Sequence, residues 1–166
     1  MRPIDVRELL ARPGSSTTSM VREPLAGLRT ELAVLDDATP VEGDLLLESV
    51  VEGVLVSGNV RAPMSFRCAR CLRGFASPVV VQVEEMFVRE PDPDADDYRL
   101  DPEGELDPEQ MLRDALGLAM PFAPLCRPDC KGLCERCGGD RNAGECSCAE
   151  PVDARWAPLQ HVRFDD

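Results

Sequence analysis

Eight cysteines arranged as four short pairs restrict most strongly how this 166-residue chain can fold. Six of them fall within LCRPDCKGLCERCGGDRNAGECSC, residues 125–148, and two lie upstream in RCARC. Zinc prefers four thiolates in a tetrahedron, and a short C-x2-C turn lets two sulfurs converge on one ion, so four pairs predict two structural Zn²⁺ sites. The candidate ligands are Cys68, Cys71, Cys126, Cys130, Cys134, Cys137, Cys146 and Cys148.

The spacing between the pairs favours one assignment of ligands to sites. The glycine-rich run GGDRNAGEC can fold the chain back, which predicts a local site made of Cys134, Cys137, Cys146 and Cys148. The second predicted site, which links the upstream pair to the tail, consists of Cys68, Cys71, Cys126 and Cys130. An alternative leaves Cys126 and Cys130 free or disulfide-linked. Iron in place of zinc is a further alternative for thiolate shells.

Disulfides and redox catalysis are competing interpretations of the same cysteines. Charged residues interrupt every apolar run of MRPIDVRELLARPG, which predicts neither a signal peptide nor a membrane span and favours a cytoplasmic protein with reduced thiols. Catalytic C-x2-C pairs usually open a helix after a strand, whereas CARCLRGF joins two predicted strands. Two complete thiolate shells also leave no open position for a bound water, so the metal would support folding rather than hydrolysis.

Apolar residues alternate along residues 54–68, the pattern of a strand with one buried face. Gly58 and Asn59 suggest a bulge or bend within it. A second β-branched run, SPVVVQVEEMFV, follows, so the sequence predicts an antiparallel hairpin with the first cysteine pair at its tip. TELAVL and DLLLESVVEGV predict further strands, whereas residues 4–12 predict a short helix and the chain up to about residue 24 is expected to be loosely held.

The second half predicts one helix between two less regular segments. Residues 89–110 combine prolines and carboxylates with little to bury, which predicts an exposed, mobile loop. A metal-binding acidic loop is the alternative, but the spacing lacks the pattern of a calcium loop. Asp107-Pro108 then predicts a helix start, and an apolar face from Met111 to Ala119 predicts packing on the sheet. Trp156 and Leu159 suggest a short amphipathic turn in the tail.

Together these elements predict an α+β protein: a curved, mainly antiparallel sheet, with barrel-like closure as one alternative, one packed helix and a C-terminal cysteine-rich zinc module. The expected organisation is a core domain at 1–121, a zinc-binding module at 122–150 and a tail at 151–166. The core would contain the zinc hairpin at 66–75 and the acidic loop at 89–107.

Charge is segregated along the chain, whose formal charge of -13 disfavours non-specific nucleic-acid binding over the whole surface. Basic residues nevertheless cluster around the cysteines. Guanidinium groups make forked contacts with phosphates, which makes this cluster a candidate RNA-binding surface. In the alternative interpretation the same cations neutralise the negative metal–thiolate shells. The candidate RNA-binding residues are Arg67, Arg70, Arg73, Arg127 and Lys131.

Familiar catalytic constellations are missing from the sequence. Its single histidine, His161, makes a catalytic triad or a histidine general base improbable, and no phosphate-binding glycine motif occurs. The sequence therefore predicts a binding protein rather than an enzyme. A cytoplasmic thiol–disulfide oxidoreductase and a zinc-ribbon regulator that binds protein or DNA are the alternatives.

The ordered combination of motifs resembles the YceD family, the large-ribosomal-RNA-subunit accumulation proteins of bacteria and plastids. The resemblance rests on FRCARCLRGF, LDPEQMLRDALGLAMPFAPLC, PDCKGLCERCG and CSC, with IDVRELLARPG and DARWAPL in support. Cys68 and Cys71 match the family's hairpin pair. The matches to its D-C-K-G-L-C-x2-C-G run and to the C-x-C end of its cysteine-rich branch are Cys130, Cys134, Cys137, Cys146 and Cys148.

This resemblance implies a cellular role but no chemical reaction. It implies a non-enzymatic role in the synthesis, processing or stability of large-subunit (23S) rRNA, and hence in bacterial ribosome biogenesis. Family genes often neighbour that of a small zinc-ribbon protein of the large subunit, which implies a basic ribosomal protein as a partner beside an rRNA precursor. Some members have fewer cysteines, so the shared function does not imply the site at residues 134–148 in every member.

Overall fold

A computed structural model of the chain describes residues 1–92, 94, 96–144, 146–148 and 155. The described part is mostly sheet, with one substantial helix. The strands are β1 (Ile4–Asp5), β2 (Ser16–Pro24), β3 (Ala33–Leu35), β4 (Pro40–Ser49), β5 (Gly53–Arg67), β6 (Gly74–Val88), β7 (Tyr98–Arg99) and β8 (Glu105–Leu106). The helices are α1 (Arg7–Leu10) and α2 (Glu109–Ala119).

The main sheet has the strand order β2-β4-β5-β6-β7, and β3 pairs with the C-terminal part of β5. All pairings in it are antiparallel except the parallel pair of β6 and β7. A barrel requires its first and last strands to pair, and β2 and β7 do not. Barrel-like closure was therefore wrong: β7 is only two residues long, and α2 packs on β6 instead.

The alternating strand at residues 54–68 is confirmed as β5, the centre of the sheet. Its inward side chains are buried, while Arg61, Ser65 and Arg67 lie on the exposed face. The expected bulge at Gly58 was wrong, because pairing with β4 and β6 runs through it without interruption. A Cβ at Gly58 would lie 2.2 Å from the Asp44 carbonyl oxygen, so the glycine is explained by close strand approach.

Two segments predicted to be irregular contain strands. The N-terminal 24 residues contain the nine-residue strand β2, which pairs along its whole length with β4. The predicted helix at 4–12 shortens to α1, because Ile4 and Asp5 pair with β8 instead. The acidic segment is likewise not one continuous loop, since it contains β7 and β8 and buries both Leu100 and Leu106 completely.

Helix α2 begins where the sequence predicts it. The Asp107 carboxylate accepts a hydrogen bond from the Glu109 backbone N–H at 2.9 Å, which satisfies one of the donors left free in a first turn. Met111, Leu112 and Leu116 are buried on its inner face and join a single hydrophobic core with the sheet. This core supports the hairpin β5–β6, and α2 leads the chain from the sheet toward the cysteines at 126–148.

No helix in the described part is long and apolar enough to cross a membrane. Trp156, Leu159 and His161 lie outside the described residues, as does nearly all of the predicted tail.

Candidate metal centres

The first cysteine pair lies in the turn that joins β5 to β6. Cys68 donates its backbone N–H to the Arg73 carbonyl at 2.9 Å and accepts from the Leu72 N–H at the same distance. These bonds close the turn, and Leu72 takes the left-handed conformation that reverses the chain (φ 59°). Both sulfurs therefore sit on a short, hydrogen-bonded knuckle at the end of the two longest strands.

The chain after α2 returns to this knuckle. The Ala69 N–H donates to the Pro124 carbonyl at 2.8 Å, which sets the approach of the following cysteines. The Cys130 sulfur lies 3.8 Å from that of Cys68, and the Cys126 sulfur lies 3.6 Å from that of Cys71. All four sulfur atoms lie within 4.8 Å of one another, and we call this group the hairpin cluster.

The sulfur separations fit a metal shell rather than disulfides. With a Zn–S bond of about 2.3 Å, a regular tetrahedron places its sulfurs about 3.8 Å apart, whereas a disulfide brings them to about 2.05 Å. The two separations, 3.8 and 3.6 Å, match the first geometry. The hairpin cluster can therefore hold a tetrahedral metal ion. Cys68 and Cys130 are almost fully buried, which disfavours attack by these two thiols on a protein disulfide, whereas Cys126 is half-buried.

The remaining four cysteines form a second group, which we call the C-terminal cluster. Its sulfurs also lie within 4.8 Å of one another, in the grouping that the spacing predicts. The Gly138 N–H donates to the Cys134 carbonyl, and the Cys134 N–H donates to the Gly139 carbonyl, both at 2.8 Å. These bonds close a second knuckle around Cys134 and Cys137. The cluster is more exposed than the first: Cys137 and Cys146 are exposed.

The sulfurs of the hairpin cluster differ in pKa. Burial acts to raise the pKa of Cys68, but the backbone N–H groups of Cys71, Cys126 and Arg70 outweigh it and lower that pKa to about 6. Burial raises the pKa of Cys126 to about 12, and the neighbouring sulfurs add to the effect. Backbone donors thus stabilise one thiolate while the low-dielectric site resists a second. A divalent cation among the sulfurs would offset this resistance, because its charge stabilises the additional thiolates.

The C-terminal cluster shows the same pattern. The backbone N–H groups of Cys137 and Arg136 lower the pKa of Cys134 to about 6. Hydrogen bonding with the Cys137 sulfur, followed by burial, raises the pKa of Cys148 to about 12. Both clusters therefore have backbone donors aimed at sulfur and, among the described contacts, no cationic side chain bonded to it, the chemistry expected of a thiolate metal centre.

The cations predicted to bind RNA surround the clusters but are not equivalent. Arg70 donates to the Cys130 carbonyl at 2.8 Å, and Arg73 pairs with Asp140 at 3.1 Å. Arg127 donates to the Asn142 side chain at 2.8 Å. Arg67 and Lys131 are exposed, and their side chains have no partner among the described residues. None of the three bound arginines donates directly to sulfur in the described contacts.

Sequence reasoning missed two residues of the loop between Cys137 and Cys146. The Asn142 side chain donates to the Cys130 sulfur at 3.6 Å, and Asp140 accepts from the Asn142 backbone N–H and side chain at 2.9 and 2.7 Å. The run DRN inside a glycine-rich loop was the available signal, since Asn and Asp side chains often bond to nearby backbone. Nothing in it indicated that Asn142 would contact the other cluster.

Comparisons with known proteins agree with the motif pattern. The sequence model of a family described as "Large ribosomal RNA subunit accumulation protein YceD" matches residues 56–163, which include all eight cysteines. An uncharacterized protein of Mycobacterium tuberculosis (strain H37Rv) is 39% identical over 164 residues, covering 94% of this chain and 78% of that protein. An uncharacterized protein of Mycobacterium leprae is 36% identical, covering 98% of this chain and 77% of that protein.

A named plant relative is more distant. "Large ribosomal RNA subunit accumulation protein YCED homolog 1, chloroplastic" of Arabidopsis thaliana is 25% identical over 183 residues, covering 90% of this chain and 57% of that protein. No solved structure gives a significant match to the chain.

Proposed function

Because this chain belongs to the YceD family, we propose that it is a non-catalytic ribosome-biogenesis factor that supports the synthesis, processing or stability of large-subunit (23S) rRNA. The family match, which spans both cysteine clusters, supports this proposal together with the name of the Arabidopsis relative. The protein would act in the cytoplasm by binding an rRNA precursor, a ribosomal protein or both.

The two clusters would each hold one structural Zn²⁺. Four thiolates in a closed shell suit zinc, and such a site stabilises a fold instead of activating water. The hairpin cluster would fasten the segment after α2 to the end of the sheet, and the C-terminal cluster would close the second knuckle. In this scheme the domain division at residue 121 is bridged by metal, because the hairpin cluster draws ligands from both sides.

Metal content tests this part of the proposal. Elemental analysis of protein purified without added zinc is expected to give about two Zn²⁺ per chain, and about one in each of Cys71→Ser and Cys137→Ser, since each removes a ligand from a different cluster. A single zinc per chain in the parent protein would refute the two-site assignment. Iron in place of zinc would change the metal but keep the ligands.

A surface for RNA phosphates would form around the hairpin tip. The side chains of Arg67 and Lys131 are exposed and uncommitted within the described structure, so they are available to a phosphate without breaking an internal contact. Arg70, Arg73 and Arg127 would contribute positive charge mainly while holding the clusters together. In this proposal Arg67 and Lys131 contact RNA, whereas the other three cations are mainly structural.

Charge reversal at the uncommitted cations is expected to weaken RNA binding without unfolding. The double variant Arg67→Glu/Lys131→Glu should bind a large-subunit rRNA fragment more weakly, and the slope of log affinity against log salt should fall by about two, one for each lost phosphate contact. Binding is measured by filter retention or fluorescence anisotropy over a range of salt concentrations, with zinc content as the check on folding.

Arg12→Glu provides a matched control for the single variant Arg67→Glu, because each reverses the charge of one exposed arginine. Arg12 is exposed and lies near Gly14, which donates its backbone N–H to Ser49. Ser49 pairs with Val54 at the start of β5, so Arg12 lies about 40 Å along the sheet from Arg67. If Arg12→Glu weakens binding as much as Arg67→Glu, net charge rather than this surface determines affinity.

A basic ribosomal protein would bind elsewhere. The carboxylates of residues 90–107 are mostly exposed, while Leu100 and Leu106 anchor this segment in the core. An acidic surface anchored at these two leucines suits a basic partner, because opposite charges steer the encounter and favour the correct partner. This second contact would leave the cysteine end of the molecule free for RNA.

A further inference from the structure

Asn142 lies between two ligands of the C-terminal cluster in the sequence, but its side chain contacts the hairpin cluster. It lies in the loop between Cys137 and Cys146, so closure of the C-terminal cluster determines where this loop sits. Its side-chain nitrogen nevertheless lies 3.6 Å from the Cys130 sulfur of the hairpin cluster. The residue is half-buried, so this contact is partly shielded from water.

The orientation of the Asn142 amide is determined by its partners. Its side-chain oxygen accepts from the Lys131 backbone N–H and from the Arg127 guanidinium, both at 2.8 Å, and neither group can accept in return. The nitrogen must therefore face the two remaining neighbours, the Cys130 sulfur and the Asp140 carboxylate, which are both acceptors. The Asn142 contact with Cys130 is thus a donated N–H···S hydrogen bond.

Further bonds clamp the Asn142 loop onto the hairpin. The Arg141 N–H donates to the Gly132 carbonyl at 3.0 Å, and the Leu133 N–H donates to the Arg70 carbonyl at 3.2 Å. Gly132 has a left-handed φ of 72°, and a Cβ there would lie 3.1 Å from the Arg70 oxygen, so only glycine fits this close approach without strain. The position of residues 140–142 is therefore linked to both clusters.

We propose that Asn142 couples the two clusters: metal binding by the C-terminal cluster fixes this side chain against Cys130 and thereby raises the metal affinity of the hairpin cluster. A hydrogen bond donated to a ligand sulfur stabilises its thiolate charge, and loss of such an outer contact typically lowers metal affinity 10- to 100-fold. Linkage makes the effect reciprocal, so an occupied hairpin cluster raises the affinity of the C-terminal cluster equally. The inference rests on the metal binding included in the proposed function.

The test is a double-mutant cycle with Zn²⁺ affinity as the readout. Competition with a chromophoric chelator gives the Zn²⁺ affinity of each binding step. The binding step that is lost in Cys71→Ser belongs to the hairpin cluster. Asn142→Asp keeps the oxygen that accepts from Lys131 and Arg127 but replaces the donor that faces Cys130. We expect Cys137→Ser and Asn142→Asp each to lower the hairpin affinity at least tenfold, with no further loss when they are combined.

Other outcomes overturn the inference. If the Zn²⁺ affinity of the hairpin cluster is unchanged in Asn142→Asp, Asn142 does not transmit the coupling. The same conclusion follows if the fold-losses of affinity in the two single variants multiply in the combined variant. Asn59→Asp on the exposed face of β5 makes the same chemical change away from the clusters, and an equal loss there would attribute the effect to charge alone. Asn142→Ala, which removes both ends of the amide, should lose at least as much as Asn142→Asp.

The failure of this inference can be told from the failure of metal binding itself. Two bound zincs with independent affinities would overturn only the coupling. A parent protein without zinc would overturn the coupling together with the two metal sites of the proposed function.

Discussion

Removal of zinc by a strong chelator is expected to unfold the segment at residues 122–148 while the sheet stays folded. Within its described part this segment has no helix or strand beyond one isolated bridge between Leu133 and Asp140. The apolar group around the hairpin cluster is small and is built largely from the cysteines themselves. Without metal, little apolar burial remains to offset the entropy of ordering these residues.

Limited trypsin digestion measures this effect, because Lys131, Arg136 and Arg141 all lie in the segment and none of them precedes a proline. At a free zinc concentration a thousandfold above Kd, linkage stabilises the closed form by about 4 kcal/mol, so cleavage should be on the order of a thousandfold slower than after chelation. Mass spectrometry should locate the new cuts after these residues, and added zinc should restore protection. Equal cleavage rates with and without chelator would show that metal does not hold the segment.

The sheet provides an internal control for this experiment. Arg61 lies within β5, whose backbone is paired on both sides, and it should stay protected whether or not zinc is present. Cleavage at Arg61 after chelation would mean that the clusters stabilise the whole fold and not only the segment that they close.

The central hairpin and the grouping of cysteines could be predicted because both depend on local pattern. Period-two burial needs only the residues of one strand, and the gaps between pairs limit which cysteines can meet. β2 could not be predicted in this way. As an edge strand it has a single buried side chain, Val21, among mostly polar residues, and its pairing with β4 supplies the missing hydrogen bonds.

The acidic segment shows why composition alone misleads. Its carboxylates predict a mobile loop, yet two isolated leucines among them, Leu100 and Leu106, enter the core. Such single apolar residues have no periodicity that a sequence pattern can detect. The contact of Asn142 with Cys130 is equally inaccessible to sequence reasoning, because it joins residues whose meeting depends on how the two knuckles pack.

Phe87→Ala is expected to destabilise the protein by about 3–5 kcal/mol, the usual loss when a buried phenylalanine leaves a cavity. Phe87 is 1% exposed and stacks on Tyr98 with ring centroids 5.3 Å apart. Tyr98 in turn donates its hydroxyl to Asp114 of α2 at 3.1 Å, so Phe87 supports both the acidic segment and the helix. Urea unfolding monitored by circular dichroism measures the loss of unfolding free energy.

The structure provides a matched control for Phe87 in Phe122, which is 100% exposed after α2. Phe122→Ala makes the same chemical change without a cavity and should alter the free energy of unfolding by no more than about 0.5 kcal/mol. Hydrogen exchange adds a local readout, because the Leu100 N–H donates to the Val88 carbonyl at 2.7 Å and should lose protection in Phe87→Ala only. Similar losses in both variants would contradict the described packing, whereas a loss confined to Phe87→Ala with faster exchange at Leu100 would establish that the acidic surface is held by the core beneath it.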